Sequence, residues 1–220
     1  MHDILQFPLF KLLNLKEKQI LLKNSADVYY KPGETIFKKG TFNHSINVLL
    51  NGFVKIYIEQ DDKIRILDIS KPGWIIALLY IFDSESYNVT AEAITDCKIT
   101  MINKSVIEKF IKYNSKFTLK LLDMQGKIAD RYIRFLAFQN QKNVRGRVAE
   151  ILIYLCDFVF QSNDFPKIFT SKEIAAFANT TTETAIRIMN ELKSEKIIDY
   201  TKSQIKILNK DFLLRYIKTG

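Results

Sequence analysis

The chain has 220 residues, of which 47% are hydrophobic and 12% aromatic, the composition of folded domains rather than disordered tails. The apolar run Ile75 to Phe82 is too short to span a bilayer, and the amino terminus lacks a basic-then-apolar signal pattern, so no membrane partner is expected. Cys97 and Cys156 are far apart with no metal-ligand spacing, which suits a reducing cytoplasm and gives no metal site.

The net charge of +9 is unevenly placed. Residues 1–103 carry 12 Lys/Arg against 12 Asp/Glu, residues 104–140 carry 8 against 3, and residues 141–220 carry 13 against 9. The positive excess therefore lies in the second half, as in a polyanion-binding module joined to a neutral one.

In chain order, the first 25 residues form amphipathic helical turns around Ile4, Leu5, Leu9, Phe10, Leu12 and Leu13, then Ile20, Leu21 and Leu22. After Tyr30 short strand-like pieces follow one another: 35–37, 45–50, 53–59, 64–69, 74–76, 89–93 and 98–102. Gly33, Gly40, Gly52 and Gly73 punctuate them. Many short strands at this spacing predict an antiparallel sandwich or barrel.

From Asn103 the pattern is helical. Asn103 caps a helix with Val106, Ile107, Phe110 and Ile111 on one face, and a longer helix runs from about Ser115 to Asn140. Within it Leu121, Met124, Ile128, Arg131, Phe135 and Phe138 alternate at spacings of three and four, the pattern of a two-helix seam with one polar interruption at Arg131. Leu121, Met124, Ile128 and Phe135 are the expected seam of a homodimer, and packing of the same residues on the chain's own barrel is the alternative. Residues 139–145 read as a hinge, 148–160 as a further helix, and SNDFPK as a polar loop.

Residues 171–192, SKEIAAFANTTTETAIRIMNEL, read as two short helices broken at Asn179-Thr180-Thr181. Ala185, Ile188, Met189 and Leu192 give the second helix a buried face. Its other side presents Thr182, Glu183, Ile186, Arg187 and Asn190, which is what a reader of the DNA major groove needs. Thr170 with Glu173 and Thr180 with Glu183 both fit the capping-box pattern. Two strand-like runs, 197–200 and 204–208, turn at Lys202-Ser203 and form a wing.

With these elements in order, the chain resembles the catabolite activator and fumarate–nitrate reduction regulator (CRP/FNR) family of bacterial transcription factors. KPGETIFKKG, VLLNGFVKIY and KPGW resemble that family's effector β-roll, and SKEIAAFANTTTETAIRIMNELKSEKIID resembles its helix-turn-helix and the start of the wing. The resemblance implies an α+β protein: an N-terminal antiparallel β-roll of the cyclic-nucleotide-binding type (1–112), a long central dimerisation helix and hinge (113–142), and a C-terminal winged helix-turn-helix (143–220). It further implies a homodimer whose two recognition helices enter successive major grooves of double-stranded DNA, about 34 Å apart.

The family's matching Glu and Arg fall on Glu183 and Arg187, which would read a cytosine N4 and a guanine O6/N7. Thr182 and Ile186 stand where relatives carry other base readers, so the half-site should differ there, with Ile186 suited to a thymine methyl. Ser171, Thr180 and Thr181, with Lys172, Lys202 and Lys206, are candidate phosphate contacts.

The effector pocket departs from the family. Cyclic-nucleotide-binding relatives carry Gly-Glu and Arg-Ser where this chain has Ala77-Leu78 and Tyr87-Asn88. No cation remains for a phosphate, which argues against cyclic AMP. An amino-terminal cysteine cluster for an iron–sulphur centre is absent. Haem stays open as a cofactor through His2, His44 and Met124, as does redox or gas sensing on the same fold. Trp74, Leu78, Tyr80, Tyr87, Asn88, Met124 and Ile128 are the candidate effector pocket, for an apolar or aromatic small molecule or for none. RNA polymerase is left open as a partner, and activation is not separated from repression. An enzyme is not expected, because no Ser/His/Asp set, phosphate loop or metal cluster is present. A β-roll module acting through protein contacts is the remaining rival.

Overall fold

In a computed structural model the chain is described over residues 3–60, 63–80, 85–139 and 143–219, with the backbone alone described at 60, 134–139, 218 and 219. It divides into two compact units, 1–58 with 68–133 and 59–67 with 134–220.

The first unit starts with 3-10 turns at Asp3–Gln6 and Phe10–Leu12 and helix α1, Leu15–Lys23. Asn14 opens α1 with a capping box: its side chain accepts from the Glu17 amide, and the Glu17 carboxylate accepts from the Asn14 amide at 2.8 Å. Strands β1 (Ser25–Tyr30), β2 (Thr35–Phe37), β3 (Ser45–Asn51), β4 (Val54–Gln60), β5 (Lys63–Ser70), β6 (Trp74–Ile76), β7 (Thr90–Ala93) and β8 (Cys97–Asn103) form two four-stranded sheets, ordered β1-β8-β3-β6 and β2-β7-β4-β5. The expected strands all form, and the pairing is antiparallel.

Strand β1 was not expected. Its burial alternates poorly, and it is held by six consecutive pairs with β8, from Ser25 opposite Ile102 to Tyr30 opposite Cys97. At the β3–β4 turn Gly52 takes φ +89°, and a Cβ there would stand 2.4 Å from the Asp96 carbonyl oxygen and 2.6 Å from Cys97 Sγ. Only glycine fits.

Helix α2, Lys104–Tyr113, is capped by Asn103, whose side chain accepts from the Ser105 amide at 3.0 Å. Helix α3 runs from Ser115 to Gln139. Phe117 and Leu121, both fully buried, lock its start into a cluster with Leu9, Phe10, Leu21, Val106 and Phe110. Met124 and Ile128 are half-buried against the same cluster. Of the expected seam, Leu121 is fully buried in the chain's own core and so has no face left for a partner, Met124 and Ile128 keep a partly exposed face, and the Phe135 side chain lies outside the described residues. Arg131, the polar interruption of that pattern, donates from Nη2 to Asp68 Oδ2 at 2.6 Å. Large apolar side chains of α3 that do face outward are Leu119, Leu122 and Ile133.

In the second unit helix α4 spans Val144–Tyr154 and continues as a wider turn over Leu155–Phe160. It begins four residues earlier than expected because the Asn143 side chain caps it, accepting from the Gly146 amide at 2.9 Å. Val144 and Arg145 are therefore helical rather than hinge, and residues 140–142 of that hinge lie outside the described set. The polar loop contains a short strand, β9 (Asp164–Pro166), followed by α5 (Ser171–Phe177), α6 (Thr182–Ser194), β10 (Ile198–Tyr200), β11 (Gln204–Ile207) and an unexpected final helix α7 (Lys210–Thr219). The wing is accordingly a three-stranded antiparallel sheet, ordered β10-β11-β9.

Candidate nucleic-acid interface

Two helices and a left-handed turn build the interface. Thr170 caps α5 with Glu173 in a complete capping box. Asn179 then takes φ +49°, a conformation Asn tolerates, and turns the chain into α6. Arg147 of α4 pins this turn, donating from Nε to the Ala178 carbonyl at 2.8 Å and from Nη2 to the Asn179 carbonyl at 3.3 Å.

The cap of α6 is Thr181, whose hydroxyl accepts from the Thr184 amide at 3.2 Å. The Thr180–Glu183 capping box is therefore not formed. Glu183 stands at the second helical position, exposed. Ala185, Ile188, Met189 and Leu192 are buried and anchor α6. Opposite them Glu183, Ile186, Arg187 and Asn190 are exposed and Thr182 is half-buried. Glu183 and Arg187 lie one turn apart on that face. Of the candidate phosphate contacts, Lys172, Thr181, Lys202 and Lys206 are exposed, and Ser171 and Thr180 are half-buried.

The wing is fastened to α6. Tyr200 donates from its hydroxyl to Asn190 Oδ1 at 2.5 Å, and Lys193 donates to the Tyr200 carbonyl at 2.7 Å. The ammonium groups of Lys167, at 4.8 Å, and Lys193, at 5.0 Å, both lie over the Tyr200 ring. Lys193 also pairs with Asp199 at 2.8 Å and holds that carboxyl below its ordinary range.

Two domain models match this chain: a cyclic nucleotide-binding domain over residues 27–114 and a Crp-like helix-turn-helix domain over residues 146–216. The chain belongs to the CRP/FNR family. It is a transcriptional regulator with a helix-turn-helix DNA-binding domain. It is 28% identical over 192 residues to the HTH-type transcriptional regulator ArcR of Staphylococcus epidermidis, covering 84% of this chain and 78% of that one. Its fold matches FixK2 of Bradyrhizobium japonicum with a TM-score of 0.80 at 20% identity, over 87% of this chain and 96% of that one. It also matches TTHB099, a CRP-family transcriptional regulator of Thermus thermophilus, with a TM-score of 0.71 at 18% identity, over 88% and 97%. CRP/FNR regulators bind DNA and act as dimers. Among the described residues no helix is long and apolar enough to cross a membrane.

The roll that gives the family model its name carries different chemistry here. Ala77 takes φ +53°, the left-handed region that favours the glycine of the CRP/FNR nucleotide pattern. Leu78 and Tyr87, standing where that pattern has an acid and a cation, are both buried and neither is charged. Tyr87 stacks on Phe37 with ring centroids 3.7 Å apart and donates to the Ser45 carbonyl at 3.1 Å. Burial pushes its hydroxyl up to about 12. These residues do not fit a cyclic nucleotide phosphate.

The seven expected pocket residues differ in their surroundings. Asn88 is exposed, and Tyr80 meets Tyr87 edge-on at 6.3 Å. Trp74 lies under the Arg131 guanidinium at 4.7 Å. Met124 and Ile128 are half-buried against the core cluster to which Leu78 belongs, and Gln125 donates to the Leu78 carbonyl at 3.2 Å. His44 is exposed and stacked on Phe42 at 5.4 Å, and His2 lies outside the described residues. Among the described residues no cluster of three His, Cys, Asp or Glu could hold a metal ion.

The exposed face of α6 also carries a contact that the sequence analysis does not single out. Glu191 receives a hydrogen bond from Arg187. Its signal was the i, i+4 spacing of opposite charges on one helix.

Proposed function

We propose that this regulator binds a two-fold operator as a homodimer, that α6 reads a G·C pair through Glu183 and Arg187, and that its roll works without a cyclic nucleotide. The reading rests on one observation: α6 is fixed by four buried apolar residues while Glu183 and Arg187 stand exposed a turn apart. Arg187 supplies the bidentate donors for guanine O6 and N7, and Glu183 accepts from cytosine N4. Thr182 and Ile186 shape the neighbouring positions, Ile186 by contact with a thymine methyl. Ser171, Thr180, Thr181, Lys172 and Lys202 hold the backbone phosphates and set register.

The dimer pairs through the outward face of α3. Leu119, Leu122, Gly126, Ala129 and Ile133 follow one another at spacings of three and four, and nothing lies within 4 Å of where a Gly126 side chain would begin. A second copy of α3 can approach closely there. Residues 1–112 form the sensing domain, 113–142 the pairing helix and hinge, and 143–220 the DNA reader. An uncharged effector, or none, fits a roll closed by Tyr87 and Leu78.

Arg187→Ala is the test. Measured on a duplex that the protein enriches from a random-sequence pool, it should lose about 1–3 kcal/mol and relax preference at one G·C pair. An equal loss on unselected DNA overturns the assignment. Log K should fall linearly with log salt on both duplexes; a salt-insensitive complex favours a module that acts through protein contacts.

A further inference from the structure

The reading arginine is held by its own helix. Arg187 donates from Nη1 to Oε1 of Glu191, one turn further along α6. The other oxygen of that carboxylate lies 3.6 Å from Nη1 of Arg145, at the start of α4. Arg145 in turn donates from Nη2 to Glu195 Oε2 at 2.5 Å, and its guanidinium rests on the Tyr216 ring at 4.3 Å. The Tyr216 hydroxyl donates to the same Glu195 oxygen at 3.3 Å. Four charges thus alternate along one line, Arg187, Glu191, Arg145, Glu195, and sum to zero.

Stability does not account for the outer pair. Arg187 is 63% exposed and Glu191 35%, and exposed pairs of this kind contribute little to folding. What the pair does is restrict a long side chain. A guanidinium has five N–H groups, and guanine uses two of them. With Nη1 held by Glu191, the Nε–Nη2 edge remains as two parallel donors for the base. The carboxylate also cancels the charge that would draw Arg187 to any phosphate, which is the sequence-independent part of DNA binding.

We infer that Glu191 is a positioning and specificity-determining residue: without touching DNA, it orients Arg187 toward guanine and withholds it from the phosphate backbone. This rests on the reading of Arg187 as a base contact.

The test uses the full-length protein, the duplex enriched from a random pool, the same duplex with each G·C pair in turn changed to A·T, and an unselected duplex. In Glu191→Gln the affinity ratio of enriched over changed duplex should fall about threefold or more, part of what one bidentate base contact supplies. Affinity for the unselected duplex should rise, with its log K against log salt steepening by about one phosphate. Glu191→Asp, which keeps the charge, should retain more of the ratio. In an Arg187→Ala background Glu191→Gln should move the ratio no further. A ratio unchanged in Glu191→Gln, or a fall of equal size in both backgrounds, overturns the inference while leaving Arg187 as a reader. A ratio unchanged in Arg187→Ala overturns both.

Discussion

Arg131, in the central helix, donates to the buried carboxylate of Asp68, at the end of β5, at 2.6 Å. Tyr132 donates to the same oxygen at 3.2 Å, and the Ile69 amide to the other at 2.9 Å. The Asp68 side chain is only 6% exposed. Removing Arg131 takes away the cation that balances this buried carboxylate and leaves it only neutral donors here, so Arg131→Met should cost about 3–5 kcal/mol, read from urea unfolding. A loss below 1 kcal/mol would mean that water already reaches the pair.

The two faces of α3 should respond differently. Leu122→Glu or Ile133→Glu, at exposed positions, should give monomers by analytical ultracentrifugation with little loss of fold stability. Leu121→Ala, at a fully buried position, should destabilise the fold by about 2–5 kcal/mol. A dimer that survives both glutamates places the seam elsewhere.

Tyr87 predicts an alkaline weakness. Its folded-state value, about 12, lies above the ordinary 10.0. Stability from this group is whole below pH 10 and fades as pH climbs toward 12, because the unfolded chain releases a proton that the fold retains. The full difference is worth about 3 kcal/mol. Urea midpoints of wild type and Tyr87→Phe should converge across that interval, and parallel curves would contradict it.

Neither thiol should react in the native protein. Cys97 and Cys156 are both buried, and burial pushes both thiols up, Cys156 to about 11 with Asp157 adding to the effect. The thiolate is the reactive form. Ellman's reagent at neutral pH should find no native thiol and two after guanidinium unfolding. Rapid native labelling would revive redox sensing.

Gly52→Ala should be among the most damaging small substitutions in the roll. The left-handed backbone and the clash with the Asp96 carbonyl act together, at about 3 kcal/mol, measurable as a lower Tm.

What the sequence made legible follows from how local each signal is. The strands of the roll and the anchored face of α6 announce themselves through the spacing of their own apolar residues. Strand β1 does not, because SADVYY takes its identity from a partner some 70 residues away in β8. Three threonines in a row can each cap a helix, and the left-handed turn at Asn179 selects Thr181. The α3 pattern was ambiguous because two of its faces are apolar, and only contact with the roll separates them. The i, i+4 pair of Arg187 and Glu191 was readable, whereas the approach of Arg145 from α4 was not.

The fastening of Tyr200 by Lys167 and Lys193, with its hydroxyl on Asn190, has a consequence for the DNA rather than the protein. A wing tied to the recognition helix cannot follow a phosphate strand independently. A duplex touched by both must adjust its own groove width and bend to meet them. Base steps that no side chain reaches will then influence affinity through their stiffness alone.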